Sequence, residues 1–163
     1  MAILNHTIVG ARDAVASARF LTDILGLDPP STMGHFEVVT VGDTSLDFLT
    51  IEGELSSQHY AFLVSESEFD QIFKRIKGRG LPYWADPYRR QPGQINTRDD
   101  GRGVYWPDPD GHLYEILTRP YGSGSPTSCP PGPGGSSLIR TSGIRSRDVN
   151  AGEGYRVFVA PAL

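Results

Sequence analysis

The sequence predicts an α+β fold made of two similar modules, because one order of elements occurs twice along the chain. Each half opens with a strand-like segment that carries a histidine, at residues 4–9 and 58–64, followed by a helical stretch. Each half closes with a strand-like segment that carries a carboxylate, at residues 44–51 and 111–117. The predicted order of elements is βαββ in the first half and βαβββ in the second.

Local signals define the two helices. Asp13 is a suitable N-cap for the first helix, and Gly26 ends it. Ser65 and Glu68 form a capping-box pattern at the start of the second helix, which Gly78 ends. Between and after the helices, alternating and β-branched residues predict strands. These strands are predicted at residues 3–9, 35–41, 45–51, 58–64, 83–84, 103–106 and 112–117.

Length and composition indicate a globular protein with one main domain. The chain has 163 residues, 38% of them hydrophobic, and a formal net charge of −4, which argues against a nucleic-acid or anionic-membrane surface. No apolar run has the length needed to span a bilayer, and no signal peptide is visible. The single cysteine, Cys129, cannot form an internal disulfide, so we expect a cytoplasmic setting.

The composition changes after Tyr121. Residues 122–137 are nearly all Gly, Ser, Pro or Thr, which cannot bury enough apolar surface to offset the entropy of ordering. We therefore place the domain at residues 1–121, and we expect a linker and a disordered tail over residues 122–163. Within that tail, the apolar run at 155–160 has an alternative interpretation as a strand on an exposed sheet edge. Inside the domain, the module boundary falls between residues 1–54 and 55–121.

His6, His59 and Glu115 are the candidate metal ligands. They occupy the opening and closing strands of the modules, and each shares its strand face with apolar residues. Two imidazoles and one carboxylate form a facial set for a divalent metal with open positions, and Fe, Mn, Zn, Ni and Co all accept it. Asp47 occupies the place in the first module that Glu115 occupies in the second. It is either a fourth ligand or a solvent-facing strand carboxylate.

The arrangement resembles the vicinal oxygen chelate superfamily. The most specific segments are HYAFLVSESEF at 59–69 and VYWPDPDGHLYE at 104–115, together with a histidine on the first strand of each module. This superfamily includes glyoxalase I, extradiol dioxygenases, fosfomycin-resistance thiol transferases and bleomycin-binding resistance proteins. The resemblance implies two βαβββ modules in a half-open, cup-shaped mixed sheet, with the metal at its floor.

The resemblance also implies roles for other side chains. Tyr105 is expected to hydrogen-bond the substrate, the alternative being an aromatic residue packed in the wall of the cup. Trp84 and Trp106 are candidate aromatic walls for a flat ligand. Arg98 lies in the long polar connection 85–102, which is either a ligand-contacting lid or an exposed excursion, and Arg98 itself either binds an anionic group or is simply exposed. His35 and His112 are expected to be turn or surface histidines.

Three functions follow from these features. The first is a metal-dependent enzyme, dioxygenase-like or glyoxalase/lyase-like, that acts on a small oxygenated metabolite, which can be aromatic. The second is a drug- or metabolite-binding resistance protein of the bleomycin-resistance type without catalysis, and the third is an interaction module. Fosfomycin transfer is disfavoured, because residues 85–102 contain no Lys or Ser and Ile8 replaces the threonine those transferases carry.

We also predict a homodimer. In relatives with two modules, module one of a chain often pairs with module two of its neighbour. His6 would then come from one subunit, and His59 with Glu115 from the other. The alternative is a cup closed within a single chain.

Overall fold

A computed structural model describes residues 2–124 and 157–159 of the chain. The first module contains strand β1, helix α1 and strands β2 to β4, which is the βαβββ order that the family resemblance implies and one strand more than the sequence pattern predicts. These elements are β1 (His6–Ala11), α1 (Ala14–Leu25), β2 (Ser31–Met33), β3 (Phe36–Val41) and β4 (Thr44–Thr50). Strand β2 was not predicted, because it is three residues long and all three are exposed, so it has no apolar pattern.

The second module repeats this order with one shortened strand. It contains β5 (His59–Leu63), α2 (Glu66–Gly78), a 3-10 turn at Arg98–Asp100, β6 (Gly103–Pro107) and β7 (Leu113–Leu117). The strand predicted at residues 83–84 is reduced to isolated bridges that join Trp84 to Pro92 and to Tyr105. The apolar run near the C-terminus supplies a short strand, β8 (Val157–Val159). The rest of the expected linker and tail beyond residue 124 lies outside the described residues.

The strands form two four-stranded mixed sheets, one for each module. The strand orders are β1-β4-β3-β2 and β6-β7-β5-β8. In each sheet the first strand of the module runs parallel to the last one, because the helix between them returns the chain to the same end. β8 adds antiparallel to the other edge of β5. The α+β class and the two-module architecture are confirmed.

Both helices begin and end where the sequence predicts. The Asp13 side chain accepts a hydrogen bond from the Ala16 backbone N–H, and Gly26 ends α1 in the left-handed conformation, with φ of 75°. At α2, Ser65 and Glu68 form a complete capping box. These bonds satisfy backbone groups that a helix leaves free at its ends.

One hydrophobic core joins the two modules. It contains the faces of α1 and α2 and the inner faces of both sheets, including Val9, Phe48, Phe62 and Ile116, all fully buried. Strand residues alternate between faces, so the opposite face of each sheet carries the candidate site residues. We call His6 with Asp47 in the first sheet, and His59 with Glu115 in the second, the two candidate half-sites. Both therefore lie on sheet faces that point away from the shared core.

The DPDGH segment fastens module two to module one. Asp110 accepts hydrogen bonds from the Arg12 backbone N–H at 3.1 Å and from the Ser17 hydroxyl at 2.5 Å. His112 is buried, and its Nε2 donates to the Gly10 carbonyl at 2.8 Å while its Nδ1 accepts from the Gln58 N–H at 3.0 Å. The expectation of a turn or surface histidine is wrong for His112, because its partners lie about 50 and 100 residues away in sequence, where no local pattern reveals them.

Within the residues that the structure describes, neither helix is long and apolar enough to cross a bilayer.

Candidate active site

Strand pairing in the second sheet brings His59, Glu115 and Tyr105 to one face. His59 is the first residue of β5, opposite Leu113 of β7. Glu115, two residues further along β7, pairs with Ala61 on one side and with Tyr105 of β6 on the other. Because residues two apart share a face of a strand, the three side chains converge on the face opposite the helices.

His59 and Glu115 form a close pair. His59 Nε2 lies 3.3 Å from Glu115 Oε2, and the Glu115 side chain is only 1% exposed. His59 Nδ1 lies 2.9 Å from the Leu113 carbonyl oxygen. A carbonyl oxygen can only accept, so Nδ1 carries the proton and Nε2 is directed at the carboxylate. An imidazole fixed in this way presents Nε2 to whatever cation lies beside Glu115, a proton or a metal ion.

The carboxylate makes His59 more basic. Burial lowers the pKa of His59, but the hydrogen bonds to Glu115 and to the Leu113 carbonyl, together with the negative charge of Glu115, outweigh it and raise the pKa above 6.5. In the metal-free protein the charged pair therefore stabilises the fold below the unfolded-state pKa of about 6.5, and this stabilisation is lost as the pH rises through the folded-state pKa.

Removing the negative charge should lower the pKa of His59. We expect Glu115→Gln to move the midpoint of the His59 titration to lower pH, because the desolvation cost remains and the attraction is gone. The imidazole C–H chemical shift, followed by NMR in metal-free protein, measures this midpoint. Glu54→Gln is the control, because Glu54 is exposed. An unchanged His59 midpoint in Glu115→Gln would show that the two side chains do not interact in solution.

Two tyrosine hydroxyls complete the second half-site. The Tyr105 ring stacks on the His59 ring, with centroids 5.8 Å apart and planes inclined by 24°. Tyr105 Oη lies 2.6 Å from Tyr121 Oη, and the Tyr121 hydroxyl donates to Glu115 Oε1. Burial and the nearby Glu115 charge raise the pKa of both phenols, so both remain neutral donors near neutral pH.

Tyr121 was missed as a site residue. It lies at the predicted domain boundary, beyond the last strand, and belongs to no periodic pattern. The only signal is an aromatic residue directly after Pro120, where the chain must leave β7. Tyr121 as a whole residue is 50% exposed, whereas its hydroxyl is directed at the buried carboxylate.

The first half-site lies on the corresponding face of the first sheet. His6 pairs with Ser45, and Ile8 pairs with Asp47, which repeats the offset between His59 and Glu115. His6 is exposed, and its Nδ1 lies 2.8 Å from Asn5 Oδ1. The other ring nitrogen, Nε2, is therefore the one that is left to bind a metal ion. Asp47 is buried and accepts a 2.7 Å hydrogen bond from the Ser45 hydroxyl.

A single chain does not bring the two half-sites together. In the described part of one chain, no three His, Cys, Asp or Glu side chains are placed to hold a metal ion. His6 and Asp47 belong to the first sheet, whereas His59 and Glu115 belong to the second. These residues therefore give no support to a cup closed within one chain. Asp47 lies in the same sheet as His6, whereas His59 lies in the other sheet.

The three predicted substrate-contacting residues differ in placement. Trp84 pairs with Tyr105 through two 2.9 Å backbone hydrogen bonds, so it lies on the site face, and the Arg89 guanidinium packs over its ring at 4.9 Å. Arg98 is exposed, and its positive charge acts on the Tyr121 hydroxyl. Both lie at the rim of the second half-site.

Trp106 is not part of the site. It follows Tyr105 directly along β6, so its side chain points to the opposite face, where it is fully buried against Tyr114. The expectation that Trp106 contacts a ligand is therefore corrected. Its indole Nε1 has no hydrogen-bond partner among the described residues.

Comparisons with known proteins agree with the fold. The family model described as the Glyoxalase/Bleomycin resistance protein/Dioxygenase superfamily matches residues 3–116. Two oxidases are among the solved structures that match this chain. Oxidase ChaP-H1 is 64% identical, with a TM-score of 0.74, over 75% of this chain and 99% of that one. Oxidase ChaP-H2 is 59% identical, also with a TM-score of 0.74, over 76% of this chain and 98% of that one. The metallothiol transferase FosB of Shouchella clausii is 36% identical over 122 residues, which are 71% of this chain and 79% of the relative.

Proposed function

This chain belongs to the Glyoxalase/Bleomycin resistance protein/Dioxygenase superfamily, and from that premise we propose that it is a metal-dependent oxidase. Its substrate is a small molecule with two adjacent oxygen atoms, of which catechol-type aromatics are the first class to examine. The oxidase class is favoured because two oxidases, ChaP-H1 and ChaP-H2, are 64% and 59% identical in sequence to the chain over the matched regions.

The pair formed by His59 and Glu115 carries this proposal. A carboxylate that is 1% exposed needs a compensating cation, and the only cationic partner at hydrogen-bond range in the described structure is the imidazole at 3.3 Å. Fixed by Leu113, that imidazole offers the lone pair of Nε2 to a metal once the proton has left. The buried pair also argues against a pure binding protein, because a ligand wall needs no desolvated carboxylate.

The donor set suits a divalent metal ion. His59 and Glu115 would supply two ligands, and His6 of the partner subunit would supply the third, with Asp47 beside it. Such a set leaves positions open for substrate oxygens, and an iron or manganese ion bound there would supply Lewis-acid and redox chemistry.

Other side chains of the second half-site would bind and orient the substrate. Tyr105 remains protonated because burial and the Glu115 charge raise its pKa. Since the Tyr121 hydroxyl donates to Glu115, Tyr105 donates its proton to Tyr121, and its oxygen is left to accept a hydrogen bond from a substrate hydroxyl. Trp84, on the same face, provides an apolar surface for a flat ring. Arg98 at the rim attracts substrates that carry negative charge.

A homodimer would complete the site. The face of the first sheet that carries His6 is apolar and exposed, with Ile8 48% and Met33 59% accessible, and Leu4 before the strand is 44% accessible. Exposed apolar residues grouped around an exposed histidine favour burial against another protein surface. The matching surface in a second copy is the half-site of His59 and Glu115, which lacks one ligand.

Metal loading followed by oxygen uptake tests the oxidase proposal. We expect the full chain, loaded anaerobically with Fe(II), to bind nitric oxide and give an iron–nitrosyl EPR signal, because the ligand set leaves open positions. His59→Ala should lose the signal, and His35→Ala should keep it, since His35 is an exposed residue of the first module. The loaded protein should also consume oxygen with catechols or dihydroxynaphthalenes.

Two results would contradict the oxidase proposal. A wild-type chain without the nitrosyl signal would exclude the metal site. A loaded chain that leaves oxygen untouched but consumes a thiol in the presence of fosfomycin would assign it to the thiol transferases, the class of the FosB relative.

A further inference from the structure

Tyr121 reaches the site on a segment that folds back over β7. We call residues 118–124 the strap. Thr118 still pairs with Arg102, whose carbonyl accepts a 2.9 Å hydrogen bond from the Thr118 N–H. After Pro120 the chain turns, with the Ser123 N–H donating to the Pro120 carbonyl at 3.2 Å. This turn directs the Tyr121 hydroxyl toward Glu115.

The strap has a second attachment at its far end. The Gly124 N–H donates to Asp99 Oδ1 at 3.1 Å, and Asp99 belongs to the 3-10 turn that precedes β6. Its φ of 55° is in the left-handed region, which Asp adopts more readily than most residues. The hydroxyl of Tyr121 is therefore held from both sides, by its own hydrogen bonds and by the anchored backbone that follows it.

The two oxygens of Glu115 have different partners. Oε1 accepts from the Tyr121 hydroxyl, whereas Oε2 faces His59 Nε2 at 3.3 Å. Tyr121 is in turn hydrogen-bonded to Tyr105 at 2.6 Å, which limits rotation of its hydroxyl. Glu115 is 1% exposed, so water has little access to replace the phenol at Oε1.

We propose that Tyr121 is a positioning residue that holds Oε1 of Glu115, so that Oε2 alone is presented beside His59 as a metal ligand. This role rests on the proposed metal site. Without the phenol, the carboxylate would have a buried oxygen with no partner and would be free to rotate away from His59. Groups that hydrogen-bond a ligating carboxylate set its orientation, and their removal costs metal affinity without removing a ligand.

Tyr121→Phe tests this role, because it deletes only the hydroxyl. We expect the affinity of the full chain for Zn(II), measured by competition with a chromophoric chelator, to fall by about 10- to 100-fold. Tyr88→Phe is the matched control, since Tyr88 is 59% exposed and distant in sequence from the strap. In a Glu115→Ala background, Tyr121→Phe should cause no further loss, because the phenol acts through the carboxylate.

Three results would overturn the inference, and they can be told apart. A wild-type chain that binds no zinc removes the proposed function together with this role. A wild-type chain that binds zinc while Tyr121→Phe keeps the same affinity removes this role alone. A visible tyrosinate-to-Fe(III) absorption band that disappears in Tyr121→Phe would make the phenol a direct ligand instead of a positioning residue.

Discussion

Coexpressed His6→Ala and His59→Ala chains should recover about a quarter of the wild-type metal sites, although each variant alone binds no metal. His6 lies in the first sheet and His59 in the second, and one chain does not group them. If sites form between subunits, random pairing makes about half of the dimers mixed, and each mixed dimer has one site without a substitution and one with both.

The metal content of the mixture, measured after chelation of loosely bound ions, gives the result. Differently tagged chains allow the mixed dimers to be isolated, and these should carry about half of the wild-type metal. The control is coexpression of His35→Ala with His59→Ala, because both chains of that pair keep a wild-type His6. Mixed dimers as empty as the single variants would exclude a shared site, and so would a monomer that holds one metal per chain.

His112→Ala should lower the free energy of unfolding by about 3 kcal/mol, the largest stability effect we expect from a single histidine. The imidazole is 1% exposed, and it satisfies the Gly10 carbonyl across the module boundary and the Gln58 N–H within module two. Alanine would leave both partly buried backbone groups without this partner, at about 1–3 kcal/mol each, and would open a cavity.

Urea unfolding at one fixed protein concentration measures this loss, because assembly makes stability depend on concentration. His35→Ala is the control and should change the free energy by less than about 0.5 kcal/mol, since His35 is exposed. Equal free energies for His112→Ala and wild type would show that the contact between the modules does not stabilise the protein.

Much of the fold could be predicted because its signals are local. The N-cap at Asp13 and the capping box at Ser65 depend on residues three apart, and a single sequence contains that information. β2 has no apolar alternation to reveal it, since all three of its residues are exposed. The strand expected around Trp84 carries aromatic residues, but only two isolated bridges form there, because the chain then turns into the polar connection.

The site could be predicted in part for the same reason. Strand alternation predicted that His59 and Glu115 each share a strand face with apolar residues, and the register of β5 with β7 brings the two side chains together. The same alternation excludes Trp106 from the site. Trp106 directly follows Tyr105, and adjacent residues of a strand lie on opposite faces of the sheet. Tyr121 depends on a chain reversal after Pro120 that no periodic pattern encodes.

Anomalous X-ray diffraction from crystals of the metal-loaded full chain tests the central claim most directly. We predict a metal peak about 2.0–2.2 Å from His59 Nε2 and from an oxygen of Glu115, with His6 of the partner subunit at the same distance. A peak at His59 and Glu115 with every His6 nitrogen in the crystal beyond coordination range would contradict the shared site, and a peak elsewhere would contradict the metal centre itself.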